Sequence, residues 1–130
     1  MLVFALAILA YGVPLQPPAG AWDVRVTAAD VCRSGYGHSQ RARVTYAIRD
    51  EIYTKYGIQR GQRAGKYVID HLMPLELGGL SDQKNLWPQL RADAKRKDRD
   101  ENMLHRAVCR GEMRLHDARM AMLRRWGRLR

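Results

Sequence analysis

The run Tyr67-Val-Ile-Asp-His-Leu-Met-Pro-Leu-Glu-Leu-Gly-Gly-Leu80 restricts the fold more than any other stretch of the chain. Its first three residues are β-prone and largely apolar, and with Asp70 they read as a short strand. Pro74 then bars a helix, and the Gly78-Gly79 pair demands a turn. Asn85-Leu-Trp87 follows as a short partner strand. Neighbouring residues on a regular strand face opposite sides of the sheet. Asp70 and His71 can therefore converge only where the strand ends, and Pro74 with the double glycine ends it there. An Asp is a hard oxygen ligand, and a His titrates near neutrality and can take a proton from water. Asn85, fourteen residues after His71, can accept from the imidazole N–H or hold the loop through backbone bonds. These are the parts, in order, of a one-metal phosphodiesterase site.

Helical patterns flank this run. From Ser39, a candidate N-cap, apolar residues Val44, Ile48, Ile52 and Tyr56 recur every four positions, which predicts one helix over 39–56 stopped by Gly57. Residues 57–66 read as an exposed basic loop. A second helix is expected over 92–110, ended by Gly111, and a third over 115–126 with Leu115, Ala118, Met122 and Trp126 inward. The class implied is α+β.

Lys and Arg total 23 against 13 Asp and Glu, giving a net charge of +10. Such an excess suits a polyanionic partner, though an anionic cell-envelope surface would also use it. The cations bracket the motif: Arg60, Arg63 and Lys66 precede it, and Arg91, Lys95, Arg96 and Lys97 open the following helix. Lys66, Arg91, Lys95, Arg96 and Lys97 are the candidate phosphate contacts. No base-reading helix or RNA-stacking signature is visible, so weak sequence specificity is expected, with DNA favoured over RNA.

Residues 1–21 differ from the rest. Residues 2–13 are almost wholly apolar, prolines follow at 14, 17 and 18, and Ala19-Gly20-Ala21 has the small-x-small form of a signal-peptidase site. The expectation is a signal peptide over 1–21 cleaved before Trp22, and a single domain over 22–130 that is secreted or periplasmic, without stable membrane association. A buried N-terminal segment or an uncleaved anchor is the competing reading, since no Lys or Arg precedes the apolar run. Export makes one Cys32–Cys109 disulfide natural; in the cytosol the same residues would be buried thiols. With only two cysteines and no CxxC, a zinc site is disfavoured.

The stretch from Val68 to Gly79, with Asn85-Leu-Trp-Pro-Gln89, resembles the HNH endonucleases, and in particular small exported bacterial HNH-like proteins with a DHLIPLELGG…NLWPQ signature. The resemblance continues through Ala94-x-x-Lys97-Asp98-x-x-Glu101. It implies a ββα-metal core with flanking helices, a divalent cation such as Mg²⁺ or Mn²⁺, and nucleic-acid hydrolysis. By matched position, Asp70 is the first metal ligand, His71 the general base and Asn85 the central Asn. The helical ligand position holds Ala94, which cannot ligate. Asp98, one turn on, can supply that oxygen, although a solvated ion-paired helix face also explains it. The Ala94 departure keeps open a second function: a basic nucleic-acid-binding module whose metal site is impaired.

Overall fold

The structure, a computed structural model, describes residues 15–41 and 43–130. Among these, five helices accompany one two-stranded sheet. The order is α1 (Ala28–Val31), α2 (Tyr36–Arg41), α3 (Tyr46–Lys55), β1 (Tyr67–His71), β2 (Leu86–Leu90), α4 (Arg91–Cys109) and α5 (Leu115–Trp126). Short 3-10 turns lie at Arg60–Gln62 and Leu75–Leu77. The class is mixed helix and sheet.

The strands pair antiparallel from Tyr67 opposite Leu90 to His71 opposite Leu86. Pro88 sits inside β2, so this strand runs beyond the three residues expected. A sheet of two strands has only edges, and there a proline missing its N–H is tolerated. α4 starts where β2 stops, and Arg91 N donates to the Lys66 carbonyl at 3.0 Å. The helix therefore leaves the sheet at a fixed angle and runs past the end of β1.

The single helix expected over 39–56 is two helices. Thr45 is in extended conformation, and its hydroxyl accepts from Ile48 N at 3.3 Å, capping α3. A side chain able to satisfy an orphan N–H wins over the four-residue apolar spacing. Ile52 alone of that stripe is buried.

The core joins the loop between the strands to the last two helices. Leu72, Met73 and Leu77 pack with Trp87 of β2, Leu104 and Val108 of α4, and Met122 of α5. Cys32, at the end of α1, is bonded to Cys109 at the end of α4, with Cα atoms 5.5 Å apart and a sequence separation of 77. Closing so long a loop removes unfolded-state entropy worth roughly 4 kcal/mol in the chain-entropy model.

The expected leader is divided. Residues 1–14 lie outside the described residues, whereas residues 15–21 are bonded to the domain. Gly20 N donates to the Lys84 carbonyl at 2.9 Å, Leu80 N to the Ala21 carbonyl at 3.0 Å, and Arg128 Nε to the Pro17 carbonyl at 2.6 Å. Trp22 then bridges to Gly79 as a one-residue ladder. Among the described residues no helix is long and apolar enough to cross a membrane.

Candidate active site

The loop between β1 and β2 is built around two residues. Gly79 closes it: its N–H donates to the Pro74 carbonyl at 2.9 Å, and a Cβ there would lie 1.9 Å from the Met73 carbonyl oxygen. Only glycine lets the backbone approach itself so closely. Asn85, fully buried, fills the middle. Its Oδ1 accepts from Met73 N at 2.7 Å and Ala21 N at 3.2 Å, and its Nδ2 donates to the Leu80 carbonyl at 2.8 Å and the Met73 carbonyl at 3.0 Å. Every donor and acceptor position of the amide is engaged by backbone. Asn85 therefore holds the loop, and the direct bond to the imidazole does not form. Arg119 of α5 locks the far side, donating from Nε to the Leu77 carbonyl at 2.8 Å.

With the loop fixed, Asp70 and His71 open on one cleft of about 850 Å³. Asp98 and Glu101 of α4 line the same cleft, as do Ala94 and Glu76. Cations ring it: Arg41 of α2, Arg49 of α3, and Arg91 and Lys95 of α4. Of the sequence-derived phosphate contacts, Arg91 and Lys95 thus reach the cleft. Lys66 is exposed next to the start of β1, and Arg96 pairs with Asp93 on the outer face of α4. Arg41 and Arg49 come from helices some 20 to 30 residues upstream of the motif in sequence, and no local pattern marks them. Arg63 is occupied elsewhere, pairing with Asp50 at 2.6 Å and donating to the Ile58 carbonyl.

Lys97 requires a correction. Its side chain is 0 % exposed, so it cannot touch a phosphate backbone. Its Nζ lies 2.9 Å from Asp70 Oδ2, 2.5 Å from Glu101 Oε1 and 2.6 Å from the His71 carbonyl oxygen. A lysine is tolerated inside a protein only when paired in this way. Burial works against its charge, but Asp70 and Glu101 outweigh burial and hold its pKa above the usual lysine value. Glu101 is lifted by burial, against the pull of Lys97, to about 7.

His71 is held as a neutral imidazole. Burial, then the nearby Lys97 and Arg41 charges, lower its pKa to about 4. Its Nε2 lies 2.9 Å from Ser81 Oγ, a partner the sequence did not single out. Asp98 is raised above the usual aspartate value by burial first and by the negative charge of Asp70 second.

These residues fit a small hard cation in a limited sense. Asp70 Oδ2 is buried beside Lys97 Nζ, and the accessible remainder of this carboxylate faces the cleft. Asp98 adds a second carboxylate across the cleft, and Mg²⁺ commonly uses one or two carboxylates and keeps several waters. Ala94 adds nothing. Among the described residues the one group of three ligand-type side chains within 4.8 Å of one another is Cys32, His105 and Cys109. Both of those sulfurs are consumed by the disulfide, leaving His105 to bond the Val31 carbonyl at 2.8 Å. No family model, curated protein or solved structure matches the chain.

Proposed function

We propose that this protein is an exported phosphodiesterase of the HNH, ββα-metal kind, which hydrolyses nucleic acid with weak sequence preference. One observation carries the reading. Two consecutive side chains, a carboxylate and a neutral imidazole, share a cleft with Asp98, Glu101 and Glu76 while four basic side chains surround them. Coulomb attraction from Arg41, Arg49, Arg91 and Lys95 draws a phosphate backbone in and holds it.

His71 is the base. Assigning the Nε2 proton to the Ser81 bond leaves the lone pair on Nδ1 to take a proton from water. An imidazole with pKa about 4 is ready to accept at any pH near neutrality, although its modest basicity limits the driving force. Asp70 and Asp98 would hold the divalent ion, Mg²⁺ or Mn²⁺. That ion supplies charge neutralisation for the phosphoryl group. Asn85 contributes by positioning: it fixes the loop from which the imidazole projects. The disulfide suits an oxidising compartment and supports export.

A second reading, a basic nucleic-acid-binding module on the same scaffold, is favoured by Ala94 and by the engagement of Asp70 with Lys97. Nicking of supercoiled plasmid by purified, oxidised protein separates the two. A phosphodiesterase nicks with Mg²⁺ or Mn²⁺ and stops with EDTA. Retention of plasmid in a gel shift without any nicking selects the module.

A further inference from the structure

Lys97 is the one fully buried charge of the molecule's described part, and it sits where the two elements carrying the acidic groups meet. An ammonium has three N–H bonds. Here three oxygens surround it: one from Asp70 and one from the His71 backbone at the end of β1, and one from Glu101 of α4. Seen electrostatically, the cage already contains a cation. Asp70 Oδ2 is turned into the interior toward Nζ, while the 18 % of this side chain that remains accessible faces the cleft.

We propose that Lys97 is a resident competitor of the divalent ion. It occupies the inner face of the Asp70–Glu101 pair, restricts an incoming ion to the cleft-facing oxygen of Asp70 and to Asp98, and so keeps metal affinity low. The inference rests on the metal-dependent reading above. The physics is one of sign and distance. A fixed positive charge a few ångströms from a dication raises the dication's free energy, and in a partly buried site water screens this poorly. The ammonium also takes one oxygen of Glu101, at 2.5 Å, and so weakens that carboxylate as a donor to the ion. A purely structural lysine and a competing one make opposite predictions: losing the first loosens the site and weakens metal binding, whereas losing the second strengthens it.

Mn²⁺ binding, followed as loss of the free-ion signal in electron paramagnetic resonance, distinguishes them without any reference to cleavage. The oxidised full-length wild type, Lys97→Met, and Asp70→Asn in each background are titrated. Lys97→Met is expected to bind Mn²⁺ about ten-fold more tightly or better, and Asp70→Asn to abolish that gain. Removing a buried cation strands Glu101, so Lys97→Met can fail to fold. In that event Lys97→Met/Glu101→Gln, which removes the cation together with its helical counter-charge, takes its place, again with tighter binding expected. Equal or weaker affinity in a folded variant overturns the proposal alone, provided the wild type binds the ion. Absence of Mn²⁺ binding in every protein overturns it together with the metal-dependent reading.

Discussion

Asn85 and His71 show how much an individual side chain contributes when it is buried among backbone groups. Asn85→Ala leaves the Met73 N–H, the Met73 carbonyl, the Leu80 carbonyl and the Ala21 N–H without their partner. Each stranded buried group costs about 1–3 kcal/mol, partly recovered by water or relaxation, so a loss of about 4 kcal/mol is expected in urea denaturation. A residue serving only in chemistry would leave stability unchanged. His71 and Glu101 set opposite pH trends in the metal-free protein. The folded His71 titrates near 4 against an ordinary 6.5, so the unfolded chain binds the extra proton between those values, and stability falls as pH drops from 6.5 to 4. Glu101 titrates near 7 against 4.5, so the folded chain keeps its proton longer, and stability falls as pH rises from 4.5 to 7. Melting temperatures measured in EDTA should show His71→Gln losing the first slope and Glu101→Gln the second. A His71→Gln profile parallel to wild type would contradict the buried neutral imidazole.

Among the elements, the loop between β1 and β2 is the most tightly specified. Gly79→Ala pushes a Cβ into the Met73 carbonyl, whereas Gly111, also a glycine at a turn, has open space around it and only its φ of +75° to lose. Gly111→Ala should therefore cost about 1–2 kcal/mol; Gly79→Ala should cost several times more or prevent folding, as read by thermal melts. Similar costs at both positions would mean that the loop closes differently. The two strands and the helices ending at Cys109 and Trp126 were legible because their signals are local: a β-prone run, a proline, a double glycine and apolar spacing at the helical period. The break between α2 and α3 was missed, since a Thr45 cap competes with a spacing that looks continuous. Lys97 was misread for a different reason. In a run dense with both signs of charge, nothing local says which cation turns inward, and only the meeting of α4 with the end of β1 decides it. Arg41, Arg49 and Ser81 reach the site by tertiary folding alone.

At the scale of the whole molecule, two ties hold the outer parts to the core: the Cys32–Cys109 bond and the residues ahead of Trp22. The second bears directly on processing. A chain beginning at Trp22 loses the Gly20–Lys84, Ala21–Leu80 and Ala21–Asn85 hydrogen bonds and the Arg128–Pro17 contact. It should melt several degrees below a chain beginning at Leu15. Equal melting temperatures would make the segment dispensable and leave cleavage before Trp22 without a structural penalty. Around this frame, four cations from three helices line one cleft together with four carboxylates and the imidazole, so the charge excess visible in composition lies outside the cleft.

The reacting pair itself is tested most directly by the initial rate at which Mg²⁺-loaded wild type and His71→Ala nick supercoiled plasmid at pH 7.5, with circular dichroism matching the two folds. With His71 as the base, the variant must be slower by about a hundred-fold or more. A folded variant that nicks as fast as wild type would show that the imidazole takes no part in breaking the phosphate ester.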